Sequence, residues 1–229
     1  GFYTGMKYMY DNGYEWLIMM DDDGIPDKDE IKNLIQSYDK VVSATGKEVI
    51  LNALVADKDN RDYTAFLWAR GSKRTNKILE LQKERFFDDI HPFNGTLVKR
   101  SVIDKIGMIK KEMFIWGDEK EYTLRAIKIA NVVPTTITSA IHYHPKEKGV
   151  KENAFPFGWF ANDKIIVKPE SLSSFYYRNL GYIDATYFSC LKSAKWIFCH
   201  IIYFFRKNKI NELKKYLINY FAGRNNNYK

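Results

Sequence analysis

The sequence predicts an α/β domain followed by a helical extension, and three observations carry that expectation. A short apolar run, Trp16 to Met20, ends in three consecutive aspartates, Asp21, Asp22 and Asp23, with Gly24 and Pro26 close behind. From there to Pro145, segments of helical and of strand pattern alternate. After Pro169 no strand pattern returns, and helix formers and aromatics dominate. The expected division is an α/β domain over 1–168 and a basic, aromatic-rich helical extension over 169–229.

The elements follow in order. Phe2, Met6, Met9 and Tyr10 recur at helical spacing up to Asn12-Gly13, a stop signal. WLIMM is a short buried strand bounded by turn residues, so the aspartates fall at its C-terminal end, the edge where open α/β sheets bind ligands. Asp27 and Glu30 after Pro26 form a capping-box pattern. Ile31, Leu34, Ile35, Tyr38 and Val42 supply the apolar face of the helix that follows. Residues 49–56 and 64–69 are strand-like, and 70–90 is a charged loop with a short helix. PFNGTLVKR (92–100) has the pattern of a strand edge. SVIDKIG (101–107) is a short helix with a serine cap and a glycine stop. FIWGDEKEYTLRAIKIAN (114–131) is a loop entering a helix. VVPTTITSAIHYHP (132–145) is a β-branched strand ending in histidines, and 146–153 a polar loop. The NNN run at 225–227 is the one low-complexity tract.

Composition narrows the class. Hydrophobic residues make up 45% of the 229, enough for a core, and a 16% aromatic share argues against disorder. Cys190 and Cys199 form neither a disulfide framework nor a metal spacing, which fits a reducing compartment. The net charge of +8 sits entirely in residues 187–229, which hold nine Lys/Arg and one acid, Glu212. The rest is balanced, so a general nucleic-acid surface is not expected and the tail has a separate role. No apolar run reaches the roughly 20 residues of a membrane span. Gly1 opens inside a helical pattern, so the sequence is expected to be a piece of a longer chain.

Four constellations carry chemistry. Asp21 and Asp23 can face one way at a strand end, and clustered carboxylates suit hard divalent cations such as Mg²⁺ or Mn²⁺. The plain alternative is an acidic turn with a helix cap. In WGDEKEY, Asp118, Glu119 and Glu121 offer a general base with an orienting partner, or acids offsetting a helix dipole. His142 and His144 share a strand face at spacing two and are borderline metal ligands. Arg178 and Asn179 in YYRNLGY read, on their own, as an ordinary helix surface.

In this order, these motifs resemble family 2 glycosyltransferases of GT-A fold, on the galactofuranosyltransferase and rhamnosyltransferase branch. WLIMMDDDGIP is similar to the metal-binding D-x-D, PFNGTLVKR to the acceptor-side strand and FIWGDEKEYTLR to the catalytic acidic motif. AIHYHP is similar to the metal-binding histidine, and YYRN to a motif opening the C-terminal helices. The resemblance implies that Asp21, Asp22 and Asp23 hold the nucleotide-sugar, with Asp21, Asp23 and His144 on Mn²⁺ or Mg²⁺ and His142 the alternative. It implies Glu119 as base with Asp118 in support, and Trp116, Asn94 and Gly95 seating the acceptor. The donor would be a UDP- or dTDP-sugar, and the acceptor a glycan or lipid-linked glycan of the cell surface, reached by inverting transfer. It also implies that the nucleoside-binding half, which precedes the GFYTG helix in such enzymes, is missing. The alternative from another class is a non-catalytic, membrane-associated scaffold on a degenerate transferase fold.

In the tail, WIFCHIIYFF (196–205) is apolar all round and is followed by RKNK and a helix with Ile210, Leu213, Leu217 and Phe221 on one face. Aromatic-rich helices with Lys and Arg fit a peripheral membrane contact through 187–221, on the cytoplasmic face of the membrane. A helical pair packed on the domain, or a homo-oligomer contact, remains the alternative.

Overall fold

In chain order, the computed structural model contains α1 (Phe2–Asp11), β1 (Trp16–Met20), β2 (Ile25–Pro26), α2 (Glu30–Thr45), β3 (Val49–Asp57), β4 (Tyr63–Arg70), β5 (Lys73–Lys77), α3 (Ile78–Leu81), β6 (Phe86–Phe87), β7 (Asn94–Lys99) and α4 (Arg100–Ile106). A 3-10 turn at Lys111–Met113 leads to α5 (Asp118–Ala130), β8 (Val133–His144), β9 (Val150–Asn153), β10 (Lys164–Val167), α6 (Ser173–Tyr187), α7 (Cys190–Arg206) and α8 (Ile210–Arg224). The structure describes residues 1–70, 73–146, 150–153 and 164–225. The end of the NNN tract and part of the 146–153 segment lie outside them.

Two compact units emerge, one of Gly1–Ile109 with Tyr122–Glu147 and one of Lys110–Glu121 with Lys148–Lys229. The acidic motif that opens α5 therefore packs with the C-terminal helices, although the helix continues into the first unit.

The first unit is built on an eight-stranded mixed sheet with the path β1-β7-β3-β4-β5, and β8 lies beside β3. Most pairings are antiparallel, and β3 with β8 is parallel. Every residue of β3 is buried, Asn52 and Asp57 among the apolar ones, as befits a strand in a sheet interior. The β7 segment is not an edge: it pairs with β1 on one side and β3 on the other. Leu34, Tyr38 and Val41 of α2 pack with Leu51, Ala53, Leu97 and Ile137 of the sheet, each large side chain contributing about 1.5–3 kcal/mol by burial. Ile31 and Ile35, expected on that face, are exposed.

Two expected caps are not made. Asp29, not Asp27, is the N-cap of α2, and no side-chain cap bond forms. Lys99 precedes α4, while Ser101 lies inside that helix and bonds Glu48. In the second unit, residues 150–153, read as loop, form a strand that pairs antiparallel with β10. Helices α6, α7 and α8 share a core of Tyr177, Cys199, Tyr203, Phe204, Leu213, Tyr216 and Tyr220 with Ile165.

Candidate functional site

The candidate residues fall into two sets, one in each unit. In the first unit the aspartates form a tight turn after β1. Gly24 N–H donates to the Asp21 carbonyl at 3.2 Å, and Asp21 N–H donates to the Phe93 carbonyl at 2.8 Å. The turn carries the carboxylates of Asp22 and Asp23 outward into water, which limits their mutual repulsion. The chain then runs into β2, whose Ile25 and Pro26 pair with Tyr143 and His142 of β8. That pairing brings the second histidine motif against the turn.

The two histidines have separate surroundings. His142 is fully buried, and its Nδ1 lies 3.1 Å from a carboxylate oxygen of Glu30, itself 1% exposed. A carboxylate only accepts, so Nδ1 is the protonated nitrogen of this pair. Gly24 and Gly95 enclose the pair: a Cβ on Gly24 would come within 2.3 Å of His142 Nε2, and one on Gly95 within 2.4 Å of Glu30 Oε1. Glu30 was legible only as a capping residue. Its glutamate-into-core role depends on a histidine 112 positions away.

His144 is the histidine that reaches the turn. Its Nε2 lies 3.1 Å from Asp23 Oδ1, its Nδ1 donates to the Pro145 carbonyl at 2.7 Å, and Phe66 packs 5.1 Å from its ring. A carbonyl oxygen accepts, so Nδ1 carries a proton and a neutral ring presents the Nε2 lone pair to a carboxylate. Two acceptors so close call for a proton or a cation between them. One oxygen and one imidazole nitrogen, the latter fixed by a backbone carbonyl, form a donor set that suits Mn²⁺. Among the described residues no group of three or more His, Cys, Asp or Glu is arranged to hold a metal by itself. The pair therefore fits a cation whose remaining ligands are phosphates and waters, the usual habit of Mg²⁺-type sites.

The acceptor-side candidates of this unit are buried. Asn94 is 6% exposed and donates to the Pro92 carbonyl at 3.0 Å, with its Oδ1 unpartnered among the described residues. Gly95 has φ 71° and lies against the Glu30–His142 pair. A cleft of about 570 Å³ runs along α1 and β1, lined by Phe2, Met6, Met9 and Leu17 and ending at Asp21 and Asp22.

In the second unit the acidic motif is held by a strained loop. Phe114, Trp116 and Gly117 have φ of 60°, 55° and 132°, and the two non-glycines cost on the order of 1–3 kcal/mol each. Asn179 of α6 offsets that cost. Its buried Nδ2 lies 2.8, 3.0 and 3.2 Å from the carbonyls of Met113, Ile115 and Trp116. This corrects the sequence reading of Asn179 as helix surface; the preceding YYR gave no sign of burial. Tyr187 donates to the buried Glu121 at 2.7 Å, fixing the start of α5 from the other end of α6.

Asp118 and Glu119 sit at that start. Glu119 Oε2 accepts from Gly117 N–H at 2.9 Å. Burial first, then a hydrogen bond and charge repulsion from Glu119, push the Asp118 carboxyl up to about 7. A carboxyl raised toward neutral pH beside a second acidic side chain is a candidate arrangement for general acid–base work. The Trp116 ring is half-buried, with the Lys168 ammonium 4.4 Å from its centroid.

No protein-family model matches the chain. It is 26% identical over 152 residues to a protein named galactofuranosyltransferase GlfT1 from Mycolicibacterium smegmatis, covering 63% of this chain and 49% of that one. It is 28% identical over 151 residues to proteins of the same name from two strains of Mycobacterium tuberculosis, covering 63% of this chain and 47% of theirs. The chain is distantly similar to galactofuranosyltransferases. It spans about half the length of the curated relatives it matches. The mixed sheet with flanking helices is compatible with an α/β glycosyltransferase-like fold.

Proposed function

We propose that the chain is the metal- and acceptor-binding part of an inverting glycosyltransferase of GT-A, family 2 type. It would transfer galactofuranose or rhamnose from a UDP- or dTDP-sugar to a cell-surface or lipid-linked glycan. The observation that carries this reading is the 3.1 Å approach of His144 to Asp23, which joins two expected ligands from opposite ends of the first unit. A divalent cation held there, with Asp21 contributing from the same turn, would neutralise charge on the departing diphosphate. Glu119 would take the proton of an acceptor hydroxyl, which attacks the anomeric carbon from the face opposite the diphosphate. Asp118, holding its own proton up to about pH 7, keeps a second negative charge out of the pair until then. Trp116, Asn94 and Gly95 remain the acceptor-side residues of this proposal, Gly95 through its backbone and the others through side chains.

The proposal includes a peripheral membrane contact. Leu191, Phe198 and Phe205 repeat every seven residues along α7 and are 83%, 48% and 58% exposed. Lys192, Lys195, Arg206 and Lys207 flank them. An apolar stripe bordered by cations suits an anionic lipid surface. Among the described residues no helix is long and apolar enough to cross a membrane.

Calorimetric titration of Mn²⁺ in the presence of UDP tests the donor side. Saturable binding is expected, weakened about tenfold or more by Asp23→Ala and by His144→Ala, since each removes one of few protein ligands. Metal binding that both variants retain in full would sink the reading.

A further inference from the structure

We propose that a cavity among the C-terminal helices binds a phosphate group with hydroxyls beside it, as in a phosphorylated sugar or polyol. We assign that group to the acceptor. The assignment rests on the glycosyltransferase reading; the phosphate site does not. The cavity has a volume of about 220 Å³, and Lys120, Tyr176, Asp184, Lys192, Trp196 and His200 are among its lining residues. All belong to the second unit.

Its charge favours an anion. The ammonium groups of Lys120 and Lys192 lie 5.9 Å and 3.9 Å from the centroid of one ring, that of Phe188, which also lines the cavity. Neither ammonium makes a side-chain hydrogen bond or an ion pair within 4 Å among the described residues. Lys120 has exposed surface, yet the protein around its ammonium withdraws it from bulk water and lowers its pKa. Asp184 is the opposing acid. Its carboxylate accepts from Tyr220 Oη at 2.9 Å, and it feels Lys120, Arg224 and Lys192 together. Of the charged groups lining the cavity, two lysines stand against one carboxylate, which leaves the wall positive. Lysine ammoniums act as point charges toward phosphate, and two of them suit a group with several anionic oxygens.

The second requirement comes from His200. It is 3% exposed, stacked on Tyr216 at 4.5 Å, and its Nδ1 donates to the Trp196 carbonyl at 2.8 Å. Among the described residues its Nε2 has no hydrogen-bond partner. Burial lowers the ring's pKa to about 4, so at neutral pH Nε2 is an acceptor that lacks a donor. An unmet buried acceptor is unfavourable. A ligand hydroxyl would satisfy it, and a fully deprotonated anion such as sulfate would not. Phosphate for the lysines and a hydroxyl for the histidine describe one ligand class. Lys120 directly follows the proposed base Glu119, which places this recognition beside the acceptor-activating residues in the same turn of α5.

The test is calorimetry without donor or metal, so its result is separate from the Mn²⁺ and UDP titration. The probes are glucose 1-phosphate, inorganic sulfate and glucose. Glucose 1-phosphate is expected to bind at least tenfold more tightly than either of the others. Lys192→Met, at an exposed position, is expected to weaken it about tenfold. His200→Phe, which preserves the stack on Tyr216, is expected to erase the preference over inorganic sulfate. Absence of saturable glucose 1-phosphate binding, or binding indifferent to both Lys120→Met and Lys192→Met, overturns the proposal. So does a His200→Phe protein that keeps its preference. A vesicle arm identifies the source of the phosphate. Release by glucose 1-phosphate from vesicles carrying a polyprenyl phosphate assigns it to a lipid carrier, and specific binding without such release assigns it to the glycan.

Discussion

Replacing Asp118 with asparagine removes one carboxyl of the acidic pair at nearly constant volume, and its effect on stability depends on pH. The wild-type carboxyl is raised from 3.8 to about 7, chiefly by burial and then by Glu119. An unfolded chain releases this proton near pH 4, while the folded one keeps it to about 7. Across that window the native state therefore binds more protons, and this group's contribution to stability falls as pH rises. A shift of about three units at 1.36 kcal/mol each sets a ceiling of about 4 kcal/mol. Asp118→Asn should accordingly gain on wild type progressively from pH 4 to pH 8. Urea unfolding followed by circular dichroism at pH 5 and pH 8 gives the difference between the two proteins, in which titrating groups other than the adjoining Glu119 cancel. A difference that is flat with pH, or that favours wild type increasingly at pH 8, refutes the argument. Side-chain carboxyl NMR provides a direct check: a resonance titrating near 7 should vanish in the variant. If Glu119 is the base, Glu119→Gln should lower kcat by about 10²–10⁴, while Asp118→Asn moves the pH profile.

Other expectations follow from the same geometry. Asn179→Ala leaves the carbonyls of Met113, Ile115 and Trp116 without their shared donor. It should cost about 2–3 kcal/mol in urea unfolding, and an unchanged midpoint would show that the strained loop holds itself. Gly181→Ala places a Cβ 2.0 Å from the Tyr220 carbonyl oxygen between α6 and α8. The helix must shift by about an ångström, so overpacking of roughly 1–3 kcal/mol should exceed the 1 kcal/mol or so that alanine gains in helix propensity. A more stable variant by thermal melting contradicts that close approach. Replacing Phe198 and Phe205 together with serine should abolish sedimentation with phosphatidylglycerol vesicles, because each buried ring contributes about 1.5–3 kcal/mol. Full retention excludes α7 as the contact.

Local pattern was enough for several elements. The spacing of Phe2, Met6 and Met9 with the Gly13 stop gave α1, and the apolar run before the aspartates gave β1. Gly46 in the left-handed conformation ends α2 as glycine after a helical pattern should. The caps failed because a capping side chain is free to choose another partner: Glu30 turns to His142 and Ser101 to Glu48. The position of β7 also escaped, since a short mixed segment such as NGTLVK has the same pattern at an edge as in the interior.

The sequence by itself determined the kinds of chemistry available: an acidic turn after a strand, an acidic pair at a helix start, two histidines at a strand end and a basic aromatic tail. Only the tertiary structure decided which of these meet. The parallel pairing of β3 with β8 slips between Ala53 and Leu54, where partners pass from Ile137 to Ile141. That odd-numbered slip breaks the two-residue alternation from which the histidines' face could be read. The slip precedes both histidines, which stay two apart opposite Val55 and Asp57, so which is buried with Glu30 and which reaches Asp23 depends on their places along β8, with His142 opposite Pro26 of β2. Asn179 and the acidic loop likewise come together through packing between segments far apart in sequence. Periodicity records a residue's neighbours along the chain, and these contacts lie across it.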